Sequence, residues 1–287
     1  MEVILIKPIS FCFGVNQALK LVESVVKEHK DKQIYLFGEL IHNSFVIEKL
    51  LKSGIKIVDF NKDNAFSLLE KFNHNDIVIF SAHGHDEAYD KILKKNNVVY
   101  YDSTCNIVKH NLENLKENKG KEIIFIGKEN HPETLASLSC GDNVHLYDVN
   151  KGMDFGLIKA DDPIIFNQTT LSFLELMHIF DDIKKHFPKA KFNDELCNAS
   201  RLRQENILKI NKPIDLALIV GDKNSSNTKK LYDVALTNKN VKKCALVSSL
   251  KEVEKIDYTG LKKVVISSGT SCPIELINQI KKFLEEK

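Results

Sequence analysis

Short apolar runs alternate along the chain with longer stretches of helical periodicity. Residues 3–6, "VILI", read as a strand, and residues 14–30 place Val15, Leu19, Val22 and Val26 at helical intervals. Three later runs end in glycine and a polar loop: "IYLFGELIHN", "IIFIGKENHP" and "LALIVGDKNSSN". A further apolar run follows each of them, "IVIFSAHG", "PIIFNQTT" and "KVVISSGTS", and again stops at small or polar groups. Residues 106–118, 171–186, 200–211 and 273–286 are amphipathic at helical spacing. Strands alternating with helices predict βαβ units and parallel sheets. Ligands of such sheets sit off the carboxyl ends of the strands.

The pattern repeats three times. Cys12, Cys105 and Cys197 are nearly evenly spaced, 93 and 92 residues apart, and each precedes a helical stretch. Counted from the glycine of each first run, His42, His131 and Ser225 fall four residues on. The second runs end near His83, Thr169 and Ser271. An internal period of this kind predicts an α/β fold of three small units with mostly parallel sheets, related by a pseudo-threefold and facing a common centre. The units are expected over 1–105, 106–193 and 194–287, with the first strand also able to pack with the third unit. One continuous doubly wound sheet is the competing architecture.

Composition narrows the chemistry. The net charge is +2, from 41 basic and 39 acidic residues, so there is no electrostatic reason to expect a nucleic-acid or membrane partner. The Lys-rich tracts are broken by acids and Asn and read as solvated surface. The N-terminus shows no export signal, and no apolar run approaches the ~18 residues of a membrane span. A cytoplasmic protein with reduced thiols is expected, so the six cysteines are not read as three disulfides. A structural zinc site would need four ligands and local pairs such as C-x2-C, which are absent. Three thiolates from three distant segments suit a soft metal centre. A [4Fe–4S] cluster normally takes four thiolates, so three would leave one iron open. Cys140 and Cys244 read as small buried apolar residues. Cys272 is expected beside the site without being a ligand.

His42, His83, His131, Ser225, Ser226, Asn227 and Ser271 are neutral or weakly cationic groups in strand-to-helix loops. With helix N-termini they fit a phosphorylated or diphosphorylated small molecule. A lone histidine is more often a surface or core residue, and only the matched positions argue otherwise. Glu133, two residues past His131, reads as a proton donor or base beside an open metal site, or as a helix N-terminal acid. The chain has 39 Lys and only two Arg, Arg201 and Arg203, both just after Cys197. A guanidinium there suggests a fork geometry that lysine cannot supply.

Together these residues resemble the IspH (LytB) family of 4-hydroxy-3-methylbut-2-enyl diphosphate reductases. The likeness runs from "SFCFGV" to "SGTSCP" through "ELIHN", "FSAHG", "STC", "HPE", "NQTTLS", "LC…RQ" and "GDKNSSN". The resemblance implies a trefoil of three α/β units around one [4Fe–4S] cluster held by Cys12, Cys105 and Cys197, with an open apical iron. It implies a diphosphate site made of His42, His83, His131, Ser225, Ser226, Asn227 and Ser271. Glu133 would supply a proton, and Thr169 would orient the substrate hydroxyl and Glu133. The implied reaction is a two-electron reductive dehydroxylation to isopentenyl and dimethylallyl diphosphate, the last step of the non-mevalonate (MEP) isoprenoid pathway. A ferredoxin or flavodoxin would donate the electrons.

The chain departs from the family's pattern in four places. "NHPETLAS" lacks both glycines and the second acid of "GHPEVEGT". "CNASRLRQ" places Ser200 and Leu202 where threonine and asparagine are usual. Phe13 replaces a small residue, and Asn106 replaces a proline. Two other functions compete: a cluster-dependent hydro-lyase acting on a phosphorylated small molecule, and a non-catalytic phosphate- or nucleotide-binding module with structural cysteines.

Overall fold

The computed structural model describes residues 1–61, 63–193 and 196–287; positions 194 and 195, where the third unit is expected to begin, lie outside them. The chain starts with β1 (Glu2–Leu5), α1 (Phe13–Glu28), β2 (Gln33–Phe37), α2 (Ser44–Lys52) and β3 (Lys56–Val58). It continues through α3 (Ala65–Leu69), β4 (Asp76–Phe80), α4 (Glu87–Lys95) and β5 (Val99–Asp102). The next stretch holds α5 (Asn106–Glu117), β6 (Ile123–Gly127), α6 (Pro132–Leu138) and β7 (Val144–Asp148). Then come β8 (Ile164–Asn167), α7 (Phe173–His186), β9 (Lys191–Phe192) and α8 (Asn198–Leu208). The last elements are β10 (Leu216–Val220), α9 (Ser226–Thr237), β11 (Cys244–Val247), α10 (Leu250–Glu254), β12 (Lys263–Ser268) and α11 (Ile274–Glu285).

Among the described residues the strands form three four-stranded sheets, ordered β3-β2-β4-β5, β7-β6-β8-β9 and β1-β12-β10-β11. Every pairing between these strands is parallel. In each sheet the strand that carries the glycine has a neighbour on both sides, and the strand that precedes a cysteine lies at the edge. For Cys105 and Cys197 that edge strand belongs to the preceding segment of chain. For Cys12 it is β1, which pairs with β12, Glu2 opposite Lys263 through Leu5 opposite Ile266. The N-terminus thus completes the C-terminal sheet and closes the ring.

The strand sequences follow from burial on both faces. "LALIV" and "IIFIG" are buried at every position, the continuous apolar run expected of a covered parallel sheet rather than alternation. In β4, Ile77 and Ile79 join one core with α1 and α2, while Val78 and Phe80 join another with α3 and α4. β6 divides likewise, Ile124 and Ile126 to one side, Ile123 and Phe125 to the other. Each such side chain contributes roughly 1.5–3 kcal/mol of burial.

The helix expected over 14–30 is found at 13–28, but its stripe is rotated from the expected one. Val15, Ala18, Val22 and Val25 are buried, and Leu19 and Val26 flank them. Periodicity locates the helix but not the small residue, Ala18, that its buried stripe includes.

Candidate active site

The three cysteines occupy one structural position. Cys12, Cys105 and Cys197 are the N-cap residues of α1, α5 and α8. None of them caps through its own side chain, so the sulfurs are not consumed by their helices. Each backbone N–H is tied to a loop that follows a sheet strand. Cys105 donates to the Ala82 carbonyl at 3.0 Å, Cys197 to that of Thr169 at 3.1 Å, and Cys12 to that of Thr270 at 3.0 Å. Every thiol is thereby fixed beside a polar group expected in the site: His83, Thr169 or Ser271.

The thiols converge. Burial pushes the Cys12 thiol up; the N–H of Val15 opposes this, and Cys197 reinforces it. Burial likewise raises Cys105, opposed by the N–H of Ile107 and reinforced by Cys12 and Cys197. A Cβ added at Gly14 would meet the Cys105 sulfur at 2.5 Å, so glycine is required where α1 passes the second thiol. Binding as thiolates would therefore release protons, and helix N-termini favour the resulting charge by about 0.3–1 kcal/mol each. Three soft sulfurs at three helix starts, lining one cavity, fit a cluster with an unfilled position.

The polar wall is built on further helix starts. His131 caps α6: its Nδ1 accepts the Glu133 N–H at 3.2 Å, which leaves Nε2 as the protonated nitrogen of the neutral ring. Ser225 caps α9 by accepting the Thr228 N–H at 3.3 Å. In the first repeat the cap is one residue later, Asn43, which accepts the Val46 N–H at 3.0 Å and frees His42. His42 turns its Nδ1 to Glu39 Oε2 at 2.9 Å.

The rings of His42 and His83 stack at 4.6 Å, and His131 meets them edge-on at 5.8 and 5.5 Å. Their ligand atoms all lie within 4.8 Å of one another, close enough to hold a metal ion and equally to close on one anion. Burial, then the neighbouring His42 and His131, hold His83 well below the usual imidazole value. Burial, then His42 and Lys128, depress His131 to about 3. Both are neutral hydrogen-bonding groups at neutral pH.

Glu133 is 2% exposed. It accepts the Thr169 N–H on Oε1 at 2.8 Å and the Thr169 hydroxyl on Oε2 at 2.9 Å. Asn227 is equally fixed, donating to Ser200 Oγ at 2.7 Å and accepting the Thr270 N–H at 2.8 Å. The Ser271 hydroxyl donates to the His42 carbonyl at 3.1 Å. Ser44 N–H donates to Asp222 Oδ2 at 2.8 Å, joining the first sheet's loop to the third's.

One cavity, about 700 Å³ including its opening to solvent, is lined by every residue named from sequence as a ligand, donor or acid. Thr170 and Thr270 also line it, beyond the residues expected from sequence. The doubled threonine of "NQTT" is the signal for Thr170, whose hydroxyl reaches Ser226 Oγ at 3.3 Å. Cys272 is fully buried, and burial holds its thiol up at about 12. Cys140 is raised by burial to about 11. The departures are accommodated. Phe13 is 71% and Leu202 47% exposed. Asn130 takes the left-handed φ of 64°, a conformation asparagine tolerates better than most residues.

Fold and site define an α/β protein with a central, thiol-lined and donor-rich cavity. The chain belongs to the LytB protein family, whose pattern matches residues 3–285. A 4-hydroxy-3-methylbut-2-enyl diphosphate reductase of Malacoplasma penetrans (strain HF-2) is 32% identical over all of this chain and 98% of its own length. One from Lysinibacillus sphaericus (strain C3-41) is 31% identical over all of this chain and 88% of its own. Among solved structures, the E-1-hydroxy-2-methyl-but-2-enyl-4-diphosphate reductase from Plasmodium falciparum superposes with a TM-score of 0.84 at 29% identity, covering 99% of this chain and 87% of that one. A second structure, of (E)-4-hydroxy-3-methyl-but-2-enyl diphosphate reductase, the terminal enzyme of the non-mevalonate pathway, has a TM-score of 0.68 at 27% identity over the whole of both chains.

Proposed function

We propose that the protein reduces 4-hydroxy-3-methylbut-2-enyl diphosphate to isopentenyl and dimethylallyl diphosphate, closing the non-mevalonate route to isoprenoids. The observation that carries this reading is the meeting, in one cavity, of three thiols from helix N-cap positions with Glu133 held by Thr169. Two electrons and two protons enter, and water leaves. Cys12, Cys105 and Cys197 would hold a [4Fe–4S] cluster, which would pass the two electrons on to the substrate.

The chain's own residues do the rest. The diphosphate is gripped by His42, His83 and His131 from one side and by Ser225, Ser226, Asn227 and Ser271 from the other. His83 and His131 suit such a wall, because burial holds them neutral and each offers an N–H without leaving an unpaired charge in it. His131 is preset as an Nε2–H donor by its cap. Glu133, in its protonated form, gives a proton to the departing hydroxyl, and Thr169, whose hydroxyl already engages the Glu133 carboxyl group, orients both.

A ferredoxin or flavodoxin supplies the electrons from the cytoplasm. Among the described residues no helix is long and apolar enough to cross a membrane. The deciding experiment is anaerobic turnover of the allylic diphosphate with and without a chemical reductant, with iron, sulfide and the visible spectrum measured on the same sample. Reductant-dependent loss of the hydroxyl by a brown protein is expected. Turnover without reductant would make the protein a hydro-lyase, and a colourless protein would make it a binding module.

A further inference from the structure

The two arginines of the chain lie in the first turns of α8, and Arg203 is 2% exposed. Its Nε donates to the Ser268 carbonyl at 3.0 Å, and its two terminal nitrogens to those of Ala199 at 2.7 Å and Ser10 at 2.6 Å. One side chain therefore joins the end of β12, the turn before Cys12 and the helix start after Cys197. The knot closes on itself, because the Ser10 N–H donates to Ser268 Oγ at 2.8 Å. Ser10 stands at φ 69°, a left-handed conformation unusual for serine, two residues before Cys12. Both of its backbone polar groups are held by this knot.

The charge is as unusual as the geometry. Among the described residues no carboxylate pairs with Arg203; its partners are carbonyls. A buried cation without a counter-charge is costly. Burial lowers its pKa, and the groups that act in the opposite sense are the thiols of Cys12, Cys197 and Cys272. Lysine has three donors on a single nitrogen and so lacks the planar fork by which three separate nitrogens reach these carbonyls.

We propose that Arg203 is a positioning residue of the thiolate centre: its fork sets the Cys12 turn against the start of α8, and its charge is the buried counter-ion of the sulfurs of Cys12 and Cys197. The proposal rests on the reading of those thiols as cluster ligands. Charge and hydrogen bonding around a cluster set its reduction potential, so the residue favours the reduced form and retains the iron.

Arg203→Gln and Arg203→Lys, reconstituted anaerobically beside the wild type, separate fork from charge. Three quantities are read: the reduced-to-oxidised cluster ratio at fixed solution potential, the rate of iron release to a chelator, and the melting of the metal-free protein. For Arg203→Gln the ratio is expected to fall about tenfold, equivalent to 59 mV for a one-electron couple, with iron release at least tenfold faster. Arg203→Lys is expected to restore the ratio and leave release fast. Wild-type values of both in a folded Arg203→Gln overturn the proposal. So does an Arg203→Lys that restores nothing while melting normally. If Arg203→Gln does not fold, Arg203→Lys decides alone: a wild-type ratio with faster release supports the proposal, and a wild-type release rate overturns it. A wild type that binds no iron and sulfide would instead defeat the reading of the thiols, and this proposal with it.

Discussion

The second and third sheets share an arrangement of four parallel strands, a glycine at the end of an inner strand and a helix start four residues later, yet they line the cavity with different chemistry. In the second, a histidine caps a seven-residue helix whose first turn delivers a buried carboxylate, Glu133, bound by Thr169 from the neighbouring strand end. In the third, Ser225 caps a twelve-residue helix whose first turn delivers Ser226 and Asn227, groups that carry no charge. On the proposed function, one scaffold thus presents a proton-transfer wall and an anion-holding wall. What differs is two or three side chains at the turn, because the turn itself is fixed by close backbone approach. A Cβ at Gly127 would meet Thr134 Oγ1 at 2.5 Å, and one at Gly221 would meet Thr228 Oγ1 at 2.6 Å.

The comparison breaks first at the cysteines, where the sheets are expected to be equal. Cys105→Ser and Cys197→Ser, and Cys12→Ser with them, should each abolish iron binding and turnover, whereas Cys140→Ser and Cys244→Ser should not. Iron and sulfide analysis checks this, and full iron content in any of the first three variants removes that residue from the ligand set.

Next comes the contrast between the walls. Glu133→Gln should retain cluster and substrate affinity while turnover falls by about 10²–10⁴, the usual contribution of a positioned general acid. If Glu133 only stabilised the start of α6, the loss would be about 0.3–1 kcal/mol of stability with the chemistry intact. Ser225→Ala, on the other wall, should leave kcat nearly unchanged and raise KM about tenfold, as should His42→Ala, because removing a hydrogen bond to a charged group costs roughly 1.5–3 kcal/mol. Steady-state kinetics with a chemical reductant places each variant on the kcat or the KM side; an unchanged KM for both would put the diphosphate elsewhere.

The smallest effect concerns pH. His131 has a folded pKa of about 3 against an unfolded value near 6.5, so below pH 6.5 the unfolded chain binds a proton that the folded chain refuses. His83 is shifted in the same direction. Their contribution is fully present above pH 6.5 and is lost as pH falls from there toward 3. Melting of the metal-free protein should decline over that window, and less steeply in His131→Asn. Equal slopes would mean that His131 is not buried neutral. Ser225→Ala changes no titrating group and should leave the slope alone, which sharpens the contrast with the third sheet.

Much of this site is readable in the sequence because it is written in local signals. Each thiol and each polar cluster follows an apolar run at a repeated interval, and a strand end is where a parallel sheet exposes backbone and side chains to a ligand. Thr170 escapes such a reading because a second hydroxyl beside Thr169 changes no pattern. The stripe of α1 departs from its periodicity because Ala18 carries little hydrophobic signal yet is buried in the core.

The sequence alone therefore determined the thirds, the thiols and the polar turns, since period, glycine and cap chemistry act over a few residues. Tertiary structure decided what depends on partners distant along the chain. The sequence reading left the first strand free to join the first or the third unit, and its pairing with β12, which closes the ring, was fixed only once the two ends of the chain met. The shift of the first cap to Asn43 freed His42 for Glu39, and the Nδ1 contact of His131 fixed its tautomer. Arg203 found its three carbonyls only when the turn before Cys12, the start of α8 and the end of β12 met. A hydrogen bond needs its donor and acceptor within about 3 Å, and that proximity exists only once the chain has closed.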